Sequence, residues 1–342
     1  KPYVYTTALL NGFKPTSIVV DGPVCIGNWC PQNYGHSYSG SVTLTQAITR
    51  SINVVPVKLS IALGGKVANP AKAGRAKIVE VARRFGITAP LPDTPSLPIG
   101  SDEVSVLEHA VAYATFPNKG KSVTPHAVLE VRTGTGDLVW RFDRDGKKQL
   151  QAIPASVAAD MAGMMSHVVS EGTARRAALD GIPTAGKTGT TNAYRDAWFV
   201  GYTGNFTCAV WYGNDDYSPT NRMTGGSLPA QTWHDIMVAA HQGVEIKEIA
   251  GIGAGTKLPA PAVSEAGTKG APKPPDIKPG PPPILTKRGA DILVRVEKML
   301  DEAAKAAGKT SSGDPAKPVK PVSSNDVAFP DSFAAAPAPR KN

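Results

Sequence analysis

Long apolar runs are missing from this sequence. No stretch of eighteen apolar residues occurs among the 342, so the chain as given contains no candidate membrane span. It shows no signal peptide, and Lys1 has no methionine before it, so any anchor or targeting signal is expected in a segment upstream. Cysteine is scarce, with three residues. Cys25 and Cys30 share a loop rich in turn formers (Gly22, Pro23, Gly27, Pro31), where they would pair in an oxidising compartment and stay free thiols in a reducing one. Cys208, inside Phe206-Thr-Cys-Ala-Val-Trp211, reads as a small buried hydrophobe. No second Cys/His pair at zinc spacing follows, which argues against a metal site. Aromatics are few, 6% of the chain, and only Phe329 and Phe333 fall among the charges of the C-terminal part, which argues against stacking on single-stranded nucleic acid.

What is present is an apolar fraction of 41%, enough for a substantial core in one or two domains. The net charge of +9 is shared between a body and a tail: residues 1–250 contribute +4 and residues 251–342 contribute +5. The mildly basic tail reads as a solvated linker. The expected organisation is a folded domain over 1–245, a Pro/Gly/Lys-rich linker over 246–288, a short amphipathic helix over 289–307 (Ile292, Val296, Met299, Leu300) and a disordered tail over 308–342.

The stretch Gly186-Lys-Thr-Gly-Thr-Thr191 packs an amine and three hydroxyls into a compact anion-binding surface. With Gly181 ahead of it, it satisfies the phosphate-loop pattern G-x-x-x-x-G-K-[ST]; Lys187-Thr188-Gly189 also satisfies the K-T-G element of penicillin-binding proteins and serine β-lactamases. Local structure separates the two. A phosphate loop needs a buried strand before it and a helix after it. Here Gly172–Asp180 is no β run, Pro183 removes an amide from the supposed cradle, and Ala197-Trp-Phe-Val-Gly-Tyr202 reads as a strand. Nucleotide binding is therefore set aside.

The rest reads in order as follows. Lys1–Leu10 is helical, with Pro2 acceptable in a first turn, which places the helix start upstream. Asn11–Gly40 is a long loop. Ser41–Arg50 is a helix opened by capping residues, Ser51-Ile-Asn53 a junction, and Pro56 sits in the first turn of a helix to about Leu63. Lys72–Phe85 is helical, stopped by Gly86. Ser101 caps a helix with an apolar stripe of Val104, Leu107, Val111 and Ala114; His109 falls on its polar side. Strands are expected over 127–133, 138–142, 197–203 and 206–212, the last two joined by a turn at Gly204-Asn205. Helices are expected over 155–170, with Met161 and Met164 in its core face, and over 228–240.

These residues resemble the transpeptidase region of class A bifunctional penicillin-binding proteins, from Lys1 to about Ala240. Ser51-Ile-Asn53 matches S-x-N and Lys187-Thr-Gly-Thr190 matches K-T-G-T. Glu171-Gly-Thr-Ala-Arg-Arg176, Arg195-Asp-Ala-Trp-Phe-Val-Gly-Tyr202 and Thr224-Gly-Gly-Ser-Leu-Pro229 are similar to class A signatures, and Lys1-Pro-Tyr-Val-Tyr5 to the stretch that begins at the lysine of S-x-x-K. The resemblance implies an α+β fold, an antiparallel sheet flanked by helices with a helical subdomain. It places a nucleophilic serine three residues before Lys1, where serine and lysine share one helix face. Lys1 would be the base, with a pKa lowered by burial and by Lys187; Ser51 would relay protons. Asn53 would hold a peptide amide. Lys187, Thr188 and Thr190 would bind the terminal carboxylate of a D-Ala-D-Ala stem peptide or a β-lactam, Gly189 would let the substrate lie close to the strand, and the Thr190 amide would complete an oxyanion hole.

The implied activity is D,D-transpeptidation through an acyl-serine, with no metal and no cofactor, in a protein that carries a glycosyltransferase domain and an anchor upstream. It would stand on the periplasmic side of a bacterial inner membrane, where Cys25 and Cys30 meet oxidising conditions, with cell-envelope proteins as possible partners and no nucleic acid. A serine β-lactamase, a D,D-carboxypeptidase and a non-catalytic sensor of β-lactams or peptides share the motifs. Taken alone, Ser51 and Asn53 are ordinary caps, Lys1 is a solvated charge, and Thr188 and Thr190 are ordinary strand residues. Arg175 and Arg176 fit a cleft wall or a solvated helix end equally well, and Glu171 a general base less well than a helix-end carboxylate.

Overall fold

The computed structural model describes residues 1–252. The expected helix over 289–307, the tail over 308–342 and nearly all of the linker lie outside the described residues. The architecture is α+β. Helix α1 (Pro2–Leu10) opens the chain, with Pro2 in its first turn, where no amide donor is required. Strand β1 (Ile18–Asp21) pairs antiparallel with β2 (Gly40–Thr43), which runs into α2 (Leu44–Thr49). The sequence pattern predicts loop over Asn11–Gly40 and a helix start at Ser41. The start is at Leu44, because Thr43 and Gln46 form a reciprocal capping box that ends the strand and begins the helix in one residue. Helices α3 (Val54–Gly64) and α4 (Pro70–Arg84) follow, and α4 is capped by Asn69 and stopped before Gly86, at φ 94°.

Helix α5 (Val106–Ala114) begins at a Ser105–Glu108 capping box rather than at Ser101. The face it buries carries Ala112 and Tyr113, whereas Leu107, placed on the apolar stripe from sequence, is 62% exposed. His109 faces inward, with Tyr3 Oη 3.1 Å from its Nδ1 and the Trp198 ring 5.3 Å away. The one-residue error of phase comes from counting Val104, which precedes the helix. A small antiparallel pair, β3 (Glu130–Arg132) and β4 (Leu138–Arg141), leads by a short helical turn, α6 (Phe142–Asp145), to α7 (Ala155–Ser170), whose Met161, Met164 and Val168 lie in the core as expected.

The sheet that positions the site is β5 (Ala185–Thr190), β6 (Asp196–Tyr202) and β7 (Thr207–Gly213), antiparallel in that order, with β5 at the edge. The β6–β7 turn is the expected one, closed by Thr203 N donating to Phe206 O at 2.9 Å. Side chains alternate across the sheet. On one face Trp198 meets His109 of α5, and Tyr202 stacks on Phe116. On the other, Phe199 lies edge-on to Trp233 of α8 (Leu228–Ala240). Lys187 opposes Val200 in register and so shares the α5 face. There a charged residue is buried in the interior of the domain. Cys25 and Cys30 are bonded, bracing the loop between β1 and β2.

Candidate active site

The site begins with the end of α2. Ile52 N donates to Ala47 O (3.0 Å) and Ser51 N to Ile48 O (3.1 Å), the paired bonds of a Schellman turn. The turn puts Ser51 at φ 57°, the left-handed seat that glycine usually holds. An L-residue there costs about 1–2 kcal/mol. The seat turns the Ser51 side chain toward two amines. Lys1 Nζ donates to Ser51 Oγ (3.1 Å), to Ser51 O (2.7 Å) and to Asn53 Oδ1 (2.6 Å). Lys187 Nζ, arriving from β5, donates to the same Ser51 Oγ (2.8 Å), to Thr188 O (3.1 Å) and to Thr188 Oγ1 (3.3 Å). Lys1, Ser51 and Lys187, 186 positions apart in sequence at the extremes, thus form one hydrogen-bonded cluster.

Burial dominates the electrostatics. It holds the Lys1 amine down at about 7 from an ordinary 10.5. Lys187 is 3% exposed, and burial pushes its amine well below the ordinary value, with repulsion from Lys1 adding to the fall. Desolvation is the leading cause of the fall at both amines, and the repulsion between them acts on the pair.

Asn53 is held on both sides. Its Oδ1 accepts from Lys1, and its Nδ2 donates to Gln32 O at 2.9 Å. Beneath it stands Asn33, which sequence reasoning missed. Asn33 Oδ1 accepts from Asn53 N (3.0 Å) and Val54 N (3.3 Å), capping α3 from a distant loop, and its Nδ2 donates to buried Asp21 (2.8 Å) and to Ser37 O (2.9 Å). Asp21 Oδ2 in turn accepts from Ser39 N at 2.8 Å. An asparagine 20 residues from its partner, inside a loop of no periodicity, carries no local signal.

Along β5 the alternation is set by Thr191 N, which donates to Asp196 O at 3.0 Å. By the two-residue rule of an antiparallel ladder, the amides of Thr188 and Thr190 then face away from β6, toward the open edge. Thr188 Oγ1 meets Thr173 Oγ1 at 2.7 Å, and Thr190 Oγ1 accepts from Gly225 N at 3.0 Å. The close backbone approach expected at Gly189 is made by the chain itself. A Cβ on Gly225 would fall 2.1 Å from Trp198 O and 2.5 Å from Gly189 O, whereas one on Gly189 would meet the Trp198 side chain, nearest at its Cβ, 3.1 Å away. Thr173 and Gly225 stand in stretches that were visible as signatures, but their contacts were not. Glu171 caps the end of α7, and its carboxylate pairs with His167 Nδ1 at 2.8 Å. Among the described residues no group of His, Cys, Asp and Glu is arranged to hold a metal.

The arrangement offers a hydroxyl between two amines of lowered basicity, next to a strand edge with outward amides and hydroxyls. Residues 1–238 match the family model described as the penicillin binding protein transpeptidase domain. The chain is 34% identical over 279 residues to penicillin-binding protein 1A of Neisseria meningitidis serogroup A, covering 78% of this chain and 33% of that protein. It is 32% identical over 247 residues to penicillin-binding protein 1B of Haemophilus influenzae, covering 69% and 30%. It therefore spans about a third of the length of these curated relatives. Among solved structures, penicillin-binding protein 1A from Haemophilus influenzae matches with a TM-score of 0.63 at 22% identity, over 73% of this chain and 42% of that one. PonA1 from Mycobacterium tuberculosis in complex with penicillin V matches with a TM-score of 0.62 at 24% identity, over 76% and 73%. These share the α+β fold described above, and the chain belongs to the penicillin-binding protein transpeptidase domain family.

Proposed function

We propose that this domain performs peptidoglycan D,D-transpeptidation through an acyl-serine and is acylated by β-lactams, with the nucleophilic serine three residues before Lys1 in the full protein. The observation that carries this reading is the convergence of Lys1 and Lys187 on Ser51 Oγ beside the edge of β5.

The chemistry follows from the geometry. A neutral Lys1 amine, available near pH 7 because burial lowers its basicity, takes the serine proton as serine Oγ bonds to the carbonyl carbon of the penultimate D-Ala. The outward Thr190 amide, with the amide of the serine, stabilises the oxyanion, worth about 3–4 kcal/mol per donor. Both lone pairs of Ser51 Oγ are occupied by the lysines, so its own proton is free to point at the leaving nitrogen. That proton goes to the departing D-Ala amine as the C–N bond breaks, and Lys1 refills Ser51. In the second half an acceptor amine attacks the ester and loses its proton to the same relay, and serine Oγ regains a proton as the C–O bond breaks. Water in place of the amine gives carboxypeptidation. Lys187, Thr188 and Thr190 take the donor's terminal carboxylate. Asn53, already bonded to Lys1 and Gln32 O, serves first to hold Lys1.

A β-lactamase reading is disfavoured because fast hydrolysis needs a placed deacylating base, and Glu171, the acid weighed as a general base, is turned to His167. The bonded Cys25–Cys30 pair supports a place on the periplasmic side of the inner membrane. No helix among the described residues is long and apolar enough to cross a membrane. Labelled penicillin tests the whole reading. An N-terminally extended form that includes the serine should be stably labelled, one group per chain, and residues 1–342 should not be. Labelling of residues 1–342, rapid hydrolysis, or no labelling of either form would refute it.

A further inference from the structure

Two tyrosine hydroxyls take no part in the chemistry above, yet they join the two walls of the site. Tyr34 Oη and Tyr194 Oη lie 2.7 Å apart, across 160 positions of sequence. Among the described residues no other hydrogen bond or ion pair links the loop between β1 and β2 to the segment 191–222. Tyr34 is 74% exposed, so its ring stands clear of the loop that carries it, and among the described residues Tyr194 alone fixes its hydroxyl.

Each end of this bridge is anchored to a different part of the machinery. Tyr34 follows Asn33, whose Oδ1 accepts from Asn53 N and Val54 N, and Gln32 O accepts from Asn53 Nδ2. That end is therefore tied to the residue that holds Lys1. Tyr194 lies in the loop that joins β5 to β6. Its N donates to Thr191 O (3.1 Å), and its O accepts from Thr220 N (2.9 Å). Backbone conformation aims the side chain. Ala193 and Tyr194 hold φ of 58° and 55°, consecutive left-handed seats that favour glycine and rarely carry a bulky residue. A tyrosine kept in such a seat, with its backbone pinned on both sides, is a side chain held for its direction.

The contacts close a ring around the site. Lys187 Nζ on Ser51 Oγ forms one end and the tyrosine pair the other. Strand β5 with its following loop makes one side; Ser51, Asn53 and Asn33 make the other. At about 3.4 Å per residue, β5 carries Lys187 and Thr190 about 10 Å apart within that ring. In the transpeptidase reading the donor's carboxylate lies toward Lys187 and Thr188, and its scissile carbonyl at the Thr190 amide. The donor then runs along the edge toward Thr191, and whatever precedes the scissile bond reaches the tyrosine pair. We infer that Tyr34 and Tyr194 are a specificity-determining pair that selects acyl donors by the bulk of the group preceding the scissile bond. The inference rests on the transpeptidase reading. The two hydroxyls meet directly, so a bulky group must part them and lose their hydrogen bond on entry, whereas a donor with a bare amine there ends short of the bridge.

The test uses the N-terminally extended form and measures second-order acylation rate constants by intact-mass spectrometry with two probes. One is 6-aminopenicillanic acid, which carries a bare amine beside the lactam; the other is nafcillin, which carries a naphthoyl amide there. Tyr34→Phe should raise the nafcillin rate about three- to tenfold, the range for one neutral hydrogen bond, and should change the 6-aminopenicillanic acid rate by less than about twofold. Tyr194→Phe should match it, because both variants remove the same bond, and the double variant should add nothing further. An unchanged or lowered nafcillin rate, an equal rise with both probes, or additive gains in the double variant would each overturn the pair. Failure of both probes to acylate the parent would instead strike the transpeptidase reading, and the pair with it.

Discussion

Lys187 Nζ lies 2.8 Å from Ser51 Oγ, although 136 residues separate them. The contact joins the edge of the sheet to the junction of two helices. Because Lys1 donates to the same oxygen at 3.1 Å, one hydroxyl is shared by two buried amines. Its proton is then the free one, which is what a relay to a leaving group requires.

The Schellman seat of Ser51 separates its structural duty from its chemical one. Ser51→Gly keeps the left-handed turn without strain and removes the hydroxyl. Its unfolding free energy should stay within about 1 kcal/mol of the parent, and it should exceed that of Ser51→Ala by about the same amount. Penicillin acylation of the extended form should fall by about 10²–10⁴-fold in both. Denaturant midpoints and acylation rates check this, and a Ser51→Gly variant that acylates normally would remove Ser51 from the mechanism.

The Lys1 amine should lose its proton near pH 7. Below that pH the amine is charged and cannot accept the serine proton, so acylation should fall about tenfold per unit as the pH drops. Above it the rate should level. The ε-carbon shift of labelled Lys1 should report the same midpoint. A midpoint near the ordinary 10.5 would mean that the amine is not desolvated as described.

Asn33 touches no reacting atom and should still matter. Asn33→Ala frees two amides at the start of α3 and loosens the support of Asn53, which holds Lys1. Loss of such a cap should destabilise the domain by about 1–2 kcal/mol. If Asn33 is a positioning residue, the acylation rate should also fall and the pH midpoint of acylation should shift. A stability loss with an unchanged pH profile would leave it a purely structural cap.

The two glycines at the strand edge should respond unequally. Gly225→Ala drives a methyl to 2.1 Å from Trp198 O, with nothing but backbone to yield, and should destabilise by about 1–3 kcal/mol while displacing Thr190. Gly189→Ala meets Trp198 Cβ at 3.1 Å and should be milder. Thermal melts of the two variants compare them directly, and the reverse order would mean that the edge is not packed as described.

Much of this architecture is written locally. The helices over 155–170 and 228–240 were legible because apolar spacing and capping act within a turn or two. Strands β6 and β7 were legible because β-branched and aromatic residues alternate on either side of Gly204-Asn205. Strand β1 was missed because four residues, Ile18–Asp21, pair with the distant segment Gly40–Thr43 across a loop without pattern. The phase of α5 was missed because Val104 looked periodic, while the capping box that decides the start lies one residue later.

By itself the sequence determined which residue types were available: a serine and an asparagine two apart, a lysine followed by hydroxyls and a glycine, and a lysine at the head of a helix. Their spacing selected a strand over a phosphate loop, because strand and helix preferences are set by neighbours. Only the tertiary structure decided that Lys1, Ser51 and Lys187 share one oxygen and that Asn33 carries Asn53. Those relations run through space between segments far apart in the chain. They depend on how two faces of one sheet are buried, and burial over such distances leaves no periodic mark for local reading to find.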